Sequence, residues 1–265
     1  MYHSVNPTQE EAGYLHVPLR VFEAQLQWLS LQAYTTITIA DLLREPASTF
    51  HSQASKKLVI TFDDGYVSLY RLATPLLRKY GFTATLFVTT AAVGAESYRV
   101  LPHFSTTLPS GDRPLNWQEL KEMEEDCWDI QPHGHEHLTH NMIADAALQT
   151  EIAESKRLVE LHLQKQALYY AFPYGRYNHR CLQLLDQLGF RAAFTVQPGL
   201  TGNTKPFQIP RIEINRFDTI ALFQRKVTTG YRSQGQHISS FFTSFIFRNP
   251  RLKDWLKQVR DRFLP

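Results

Sequence analysis

Two adjacent aspartates at the end of a predicted buried strand constrain the fold of this chain more than any other feature. The strand has the sequence Leu-Val-Ile-Thr-Phe and ends at Asp63 and Asp64, which are followed by Gly65. Side chains alternate between the two faces of a strand, so neighbouring carboxylates share one pocket only where the backbone turns, and glycine permits such a turn. An Asp-Asp-Gly sequence also suits an ordinary tight turn, and this segment alone leaves both interpretations open.

A histidine-rich segment follows a second predicted strand. Four histidines fall within eight consecutive residues there. His133 and His137 are four residues apart, so a loop or a first helical turn would bring both imidazoles to one ion. Together with the Asp64 carboxylate they would leave positions open for water, and such a ligand set suits Zn²⁺ or another first-row divalent ion. His135 and His140 are surplus to this set, and a solvated histidine-rich loop is the alternative.

A third predicted strand is rich in aromatic residues and leads into Pro173, Tyr174 and Gly175. Pro-Tyr-Gly is ordinary loop chemistry when taken alone. However, polar or special residues now stand at the ends of three predicted strands, and the active sites of β/α barrels assemble from the loops at the carboxyl ends of the strands. Segments with apolar residues at helical spacing alternate with the strands. The pattern therefore predicts an α/β fold in the form of a barrel.

In this order, the three segments resemble the motifs of the polysaccharide deacetylase family, the NodB-homology carbohydrate esterases of family 4. The family's first motif, Thr-Phe-Asp-Asp-Gly, is matched in full by residues 61–65, and the spacing of its paired histidines is matched by His133 and His137. The resemblance covers roughly residues 1–230 and is nearest to the poly-N-acetylglucosamine de-N-acetylase-like subgroup. It implies a distorted (β/α) barrel of the NodB type, seven-stranded, over residues 1–235, with residues 236–265 as a C-terminal helical extension.

The third motif matches the family only in part. Ala171 stands where the family commonly has an arginine that orients the catalytic aspartate, whereas Pro173 and Tyr174 are kept. We expect the chain to belong to a subgroup that manages without this arginine. Met1 lies almost where the first barrel strand of the family ends, so we also expect the N-terminal strand to be truncated.

The resemblance implies roles for the acidic and histidine residues. Asp64, His133 and His137 correspond to the family's ligands for a single divalent metal ion, and we expect zinc, with cobalt, nickel or iron as alternatives. Asp63 corresponds to the catalytic base that takes a proton from the attacking water. It can act as a base because a metal ion would partly neutralise the charge of its neighbour.

The resemblance also implies a substrate-binding role for Pro173, Tyr174 and Gly175. The backbone N–H of the tyrosine corresponds to the donor that binds the developing oxyanion. The implied reaction is metal-assisted hydrolysis of N-acetyl groups on a polysaccharide, with an N-acetylglucosamine polymer as the expected substrate. The enzyme would thus be a hydrolase acting on carbon–nitrogen bonds other than peptide bonds.

The proton donor to the leaving amine departs from the common family pattern. Many members carry a histidine on a late strand, but residues 209–214 contain none. His3 is the best substitute, because the end of a first strand would open onto the same edge of the barrel. A frayed terminus is the alternative interpretation of His3, and His179 and His135 are then the remaining candidates.

Other functions stay open at this point. The same site could release O-acetyl groups from an acetylated glycan. A glycan-binding homologue without catalysis is favoured by Ala171 but opposed by the retained aspartates and histidines. A binuclear metallohydrolase would use His133 and His135 as a pair, but Leu138 stands where one such class requires histidine.

The charge balance argues against nucleic acid as a partner. The 265 residues carry a formal net charge of +3, and lysine and arginine do not form a run. The expected partner is therefore a polysaccharide or oligosaccharide. Cys127 and Cys181 are too few for a disulfide framework, and we expect both to be buried thiols.

The last residues differ from the rest. Residues 251–263 are basic and have apolar residues along one helical face. We expect this helix to dock on the barrel or on a partner, and contact with a membrane surface is the alternative. The chain shows no signal peptide. Because the family resemblance implies the cell envelope or periplasm, the localisation is left open.

Overall fold

Short parallel strands alternate with helices in the computed structural model of the protein, which describes residues 1–7, 13–45, 56–102, 108, 111–201 and 205–233. The strands are β1 Ser4–Asn6, β2 His16–Pro18, β3 Thr35–Thr36, β4 Lys57–Leu58, β5 Ile60–Asp64, β6 Ala84–Val88, β7 Trp128–Pro132, β8 Tyr169–Ala171 and β9 Ala192–Phe194. The helices are α1 Leu19–Leu31, α2 Ile39–Arg44, α3 Thr74–Tyr80, α4 Trp117–Glu124, α5 Asp145–Leu163, α6 His179–Gln187 and α7 Ile220–Thr229.

The central sheet is formed by β5, β6 and β7, all parallel. Every residue of β5 and β6 is buried. Parallel strands are normally covered on both faces, which explains why β6 is largely apolar rather than alternating, whereas β5 is buried although it ends in two aspartates. A second parallel pair is formed by β8 and β9. The predicted α/β class is therefore confirmed.

The N-terminal residues continue the central sheet at the β5 edge. Tyr2 exchanges backbone hydrogen bonds of 2.8 and 3.0 Å with β5, and Met1 exchanges two of 2.9 Å with the segment 209–214. That segment in turn pairs with β9 through Ile209. His3 therefore does not lie on a frayed end, since Tyr2 is bonded to β5 and Met1 is bonded to the segment 209–214.

The junction between β7 and β8 is different. Within the described residues, no backbone ladder joins these two strands. The side-chain oxygen of Gln131 instead accepts hydrogen bonds of 3.0 Å from the backbone N–H groups of Leu168 and Tyr169. The pairings thus follow the order of a barrel with one interrupted junction. The number of strands in the predicted distorted barrel, seven, remains a prediction.

The helices cover the sheet with their apolar faces. The buried face of α1 includes Phe22, whose ring contacts Tyr2 and Phe62 at centroid distances of 5.3 and 5.9 Å. The sequence predicts a kink or a late start around Pro75. A π-helical turn over Leu69–Ala73 precedes α3, so the proline occupies the first turn, where its missing N–H costs no hydrogen bond.

Both cysteines are free thiols, with Cys181 buried and Cys127 partly buried. No helix among the described residues is long and apolar enough to cross a membrane. The predicted C-terminal extension over residues 236–265, with its basic helix, lies outside the described residues, so its docking surface stays a prediction.

Candidate metal centre

The two aspartates share a pocket because the backbone turns sharply at the end of β5. Asp64 and Gly65 have φ angles of 74° and 100°. Both lie in the left-handed region, which asparagine and aspartate tolerate and glycine adopts freely. A Cβ atom on Gly65 would lie 2.9 Å from the Val88 side chain. The turn interrupts the alternation of the strand, as the sequence required if Asp63 and Asp64 were to serve one site.

Two imidazoles face the carboxylate of Asp64. The Nε2 atoms of His133 and His137 lie 3.8 and 3.4 Å from its Oδ1 atom. His133 follows β7 directly, and its Nδ1 atom is 2.8 Å from the carbonyl oxygen of Ala171. Only a protonated Nδ1 can donate to that carbonyl, so the Nε2 atom of neutral His133 carries the lone pair that faces the aspartate.

The potential ligand atoms of Asp64, His133 and His137 all lie within 4.8 Å of one another, and among the described residues this is the one such group. Burial lowers the pKa of His133 to about 3 and that of His137 to about 4, so both are neutral at pH 7. Burial raises the pKa of Asp64, a cost that a bound cation would offset. Neutral nitrogen donors and one carboxylate fit a first-row divalent ion.

Asp63 has a different partner from its neighbour. Its two carboxylate oxygens accept hydrogen bonds of 2.7 Å from the Nη1 and Nη2 atoms of Arg211. The Arg211 Nε atom donates to the carbonyl of Thr195 at 3.0 Å, and its guanidinium lies 5.5 Å from the centre of the Phe87 ring. Burial by itself would raise the pKa of Asp63, but the guanidinium, together with the nearby His133 and His3, outweighs burial and holds the pKa well below its ordinary value.

Arg211 was missed by the sequence reasoning, which looked for an arginine at position 171. The motif position is occupied by a buried alanine, while a guanidinium reaches Asp63 from a segment 148 positions away along the chain. One sequence signal could have found it. An arginine between apolar residues in a predicted strand is expected to be buried, and a buried arginine needs an acidic partner.

A second contact that the sequence reasoning missed holds Asp64. The hydroxyl of Tyr66 donates to the Oδ2 atom of Asp64 at 3.1 Å. This leaves Oδ1 as the atom that faces the imidazoles. Tyr66 is fully buried, and its ring contacts His16 and Tyr98 at 5.4 and 4.8 Å. The aspartate is therefore oriented by a tyrosine that the surrounding rings hold in place.

The other histidines of the segment do not join this group. The Nδ1 atom of His135 lies 2.9 Å from the hydroxyl oxygen of Thr90. His140 is buried, and its two nitrogens lie 2.7 Å from the Leu138 carbonyl and 2.6 Å from the Tyr170 hydroxyl. The observed group thus contains His133 and His137 but not the His133 and His135 pair of a binuclear site.

His3 lies at the same edge as the aspartates. Burial raises the pKa of Asp64, and among the groups that lower this pKa the charge of a protonated His3 has the largest effect. The Nδ1 atom of His3 is buried and has no hydrogen-bond partner within the described part of the chain. His179, the alternative proton donor, is exposed at the start of α6.

The Pro-Tyr-Gly turn closes another side of the centre. Tyr174 has a φ angle of 56°, is 47% exposed, and its ring lies 4.6 Å from that of His137. Pro173 is buried. Gly175 has a φ angle of 62°, and a Cβ atom there would lie 2.8 Å from the backbone nitrogen of Val196. The turn therefore requires glycine at this position.

Comparisons with known proteins agree with one another. A family model described as polysaccharide deacetylase matches residues 51–193. YxkH of Bacillus subtilis, whose name assigns it to the polysaccharide deacetylases, is 31% identical over 203 residues, 75% of this chain and 64% of that protein. A poly-β-1,6-N-acetyl-D-glucosamine N-deacetylase of Staphylococcus aureus is 27% identical over 206 residues, 73% of this chain and 66% of that protein. The chain thus spans less than two thirds of the length of either relative.

Solved structures share the fold. The Streptococcus pyogenes deacetylase PplD, in complex with acetate, superposes with a TM-score of 0.70 at 22% identity, covering 85% of this chain and 95% of that one. IcaB from Ammonifex degensii superposes with a TM-score of 0.67 at 22% identity, covering 86% of this chain and 93% of that one. Deacetylases of this NodB type have a distorted barrel, and at these identities the likeness concerns the fold alone.

Proposed function

The chain belongs to the polysaccharide deacetylase family, and we propose that it is a metal-dependent hydrolase that removes N-acetyl groups from an N-acetylglucosamine polymer. One observation carries the proposal. Two adjacent carboxylates have separate partners, since Asp63 is paired with a guanidinium while Asp64 faces two neutral imidazoles. This separation allows one carboxylate to bind a cation while the other remains available for a proton.

Asp64, His133 and His137 would hold the ion, which we propose to be zinc, with cobalt, nickel or iron as alternatives. When bound, a divalent ion supplies Lewis-acid polarisation of the acetyl carbonyl and lowers the pKa of water from about 15.7 to about 7. The protein contributes the arrangement of the three ligands. His133 is held by the Ala171 carbonyl and Asp64 by the Tyr66 hydroxyl, so two of the three are oriented before the ion arrives.

Asp63 is proposed as the general base. Its Oδ2 atom lies 3.9 Å from the Nε2 atom of His133, so it stands beside the ligand group. The Arg211 guanidinium keeps the carboxylate ionised at neutral pH and fixes its plane through two hydrogen bonds. Arg211 is therefore a positioning residue that takes the place of the arginine absent at Ala171.

His3 is proposed as the general acid for the leaving amine. It lies at the same edge of the fold, and its buried Nδ1 atom has no partner in the described part of the chain. Histidine can give and regain a proton near neutral pH. The backbone N–H of Tyr174, between Pro173 and Gly175, is proposed to donate to the oxyanion as negative charge develops there.

The substrate proposal rests on the similarity to the staphylococcal poly-β-1,6-N-acetyl-D-glucosamine N-deacetylase. An O-acetyl esterase acting on a glycan would use the same residues as an N-deacetylase. A glycan-binding homologue would bind the polymer without any reaction. Because the proposed site chemistry does not separate the first two functions, the substrates must be compared directly.

The experiment is acetate release from oligomers of β-1,6-linked N-acetylglucosamine, chitin oligomers and O-acetylated xylan, with and without a metal chelator. We expect release from the amide substrates to stop with chelator. Asp63→Asn should lose about 10²–10⁴-fold in rate while binding the metal normally, as should His3→Ala. Asp64→Asn should lose both activity and metal affinity. The exposed His179→Ala variant is the matched control and should behave like the wild type.

Four results would contradict the proposal. Release that persists in chelator would exclude metal dependence, and full activity of Asp63→Asn would exclude it as the base. Release from xylan alone would establish the O-acetyl esterase. Binding of oligomers without release of acetate from any of them would instead identify a glycan-binding homologue.

A further inference from the structure

We propose that Glu151, on α5, positions the ligand loop of residues 134–138 and thereby sets the affinity of the metal centre. The inference rests on the proposed metal-dependent function. His137 has a φ angle of 60°, in the left-handed region that is strained for a residue with a side chain, and Gly134 has a φ angle of 85°. Such a loop keeps its shape only where the surrounding structure holds it.

The first half of the loop is held by backbone hydrogen bonds. The N–H of Thr90 donates to the Gly134 carbonyl at 3.2 Å, and the N–H of Ala91 donates to the His135 carbonyl at 2.9 Å. These bonds come from the turn that follows β6. They stop two residues before the ligand His137, whose conformation therefore needs another support.

Glu151 supplies this support. Its Oε2 atom accepts a hydrogen bond of 2.9 Å from the N–H of Glu136, and its Oε1 atom accepts one of 3.0 Å from the N–H of Leu138. These two residues flank His137 in the sequence. The carboxylate thus bridges the backbone on both sides of the metal ligand and fixes the peptide planes between which the imidazole is attached.

The site is built to receive this carboxylate. Glu151 is only 2% exposed, although it is on a helix whose glutamates could face solvent. A Cβ atom at Gly134 would lie 2.6 Å from the Glu151 Oε1 atom, so the loop approaches the carboxylate more closely than any other residue type would allow. A buried carboxylate needs such partners, and two backbone N–H groups satisfy one oxygen each.

A carboxylate suits the task better than an amide. Both loop contacts are N–H donors, and a carboxylate offers two acceptor oxygens. In Glu151→Gln, an NH₂ group replaces one of the two acceptor oxygens and faces a backbone N–H group, which is also a donor. One flank of His137 would then be released while the size of the side chain stays the same. The substitution therefore tests the hydrogen bonds rather than the packing.

The test is the affinity of metal-free protein for Zn²⁺ and Co²⁺, measured by competition with a chromophoric chelator. We expect Glu151→Gln to bind one ion about 10–100-fold more weakly than the wild type. Glu154→Gln is the matched control, because Glu154 lies on the same helix and pairs with Arg157 at the surface, and it should bind within twofold of the wild type. Glu151→Asp keeps the charge but is one methylene shorter, so it should lose affinity as well.

Amide hydrogen exchange in the metal-free protein gives a readout independent of the ion. The N–H groups of Glu136 and Leu138 should lose protection in Glu151→Gln, while that of Ala91 should keep it. Wild-type affinity and unchanged protection in Glu151→Gln would overturn the proposal for Glu151 and leave the proposed function intact. A wild-type protein that binds neither ion would overturn both.

Discussion

Replacing Arg211 by methionine would leave the carboxylate of Asp63 buried without its partner. The Asp63 and Arg211 side chains are 2% and 4% exposed, so water cannot take over the lost contacts. Each of the two hydrogen bonds of 2.7 Å joins charged groups and contributes about 1.5–3 kcal/mol. Removing one partner of a buried pair typically costs about 3–5 kcal/mol, and we expect the free energy of unfolding to fall by that amount.

The assay is urea unfolding of metal-free protein at pH 7 for a double-mutant cycle of Arg211→Met and Asp63→Asn. Both single variants should be less stable than the wild type, because Arg211→Met leaves a buried carboxylate without its cation and Asp63→Asn leaves a buried guanidinium without its anion. The double variant should recover part of the summed losses, since neither member of the Asp63–Arg211 pair is then charged. Arg157→Met is the control, because the Arg157 pair with Glu154 is largely exposed and should contribute at most about 1 kcal/mol.

Two results would refute this reasoning. One is a cost below about 1 kcal/mol for Arg211→Met, which is the range of exposed pairs. The other is a double variant whose loss equals the sum of the two single losses. Either result would mean that the guanidinium and the carboxylate do not depend on each other.

Three further predictions concern the surroundings of the centre. Tyr66→Phe removes the hydroxyl that orients Asp64, so Zn²⁺ affinity by chelator competition should fall about 10-fold or more, and an unchanged affinity would exclude this role. Burial raises the pKa of Asp112 from 3.8 to about 6, so the folded protein holds this proton more tightly than the unfolded chain does. The resulting stabilisation is fully present below pH 3.8 and is lost as the pH rises through about 6. The free energy of unfolding should therefore fall by about 2–3 kcal/mol between pH 4 and pH 7 because of this group, and urea unfolding of Asp112→Asn should lack that fall. The same pH dependence in the variant and the wild type would exclude Asp112 as its cause. Gly175→Ala should lower stability by at least about 1–3 kcal/mol because of its φ angle of 62° and the close Val196 nitrogen, and an unchanged melting temperature would refute the strain.

The parts of the site that could be predicted from the sequence are those set by local rules. Two adjacent aspartates before a glycine can serve one pocket only through a turn, and the φ angles of Asp64 and Gly65 have this form. The spacing of His133 and His137 predicted that they converge, and their Nε2 atoms both face the Oδ1 atom of Asp64. The α/β class could likewise be predicted, because the spacing of apolar residues that distinguishes a strand from a helix depends only on residues close together in the chain.

The supporting contacts could not be predicted in the same way. Arg211 reaches Asp63 from 148 positions along the chain and Glu151 reaches the loop from the next helix, and nothing in their immediate sequence indicates which atoms they contact. The pairing of Asp63 depends on how the segment 209–214 lies beside Met1, which is a property of the tertiary fold. The junction bridged by Gln131 was not anticipated either, since a side chain there accepts hydrogen bonds that strand pairing normally satisfies.

The match to the family covers residues 51–193, but two supports of the β5 strand lie outside that range. Arg211 neutralises Asp63 from beyond its end, and Tyr2 is hydrogen-bonded to β5 from before its start. A protein trimmed to residues 51–193 would keep both aspartates and both histidines. It would, however, expose one edge of β5 and leave the buried Asp63 carboxylate without its cationic partner. Such a fragment should fail to fold for electrostatic reasons before catalysis becomes a question, so the smallest working unit is larger than the smallest recognisable one.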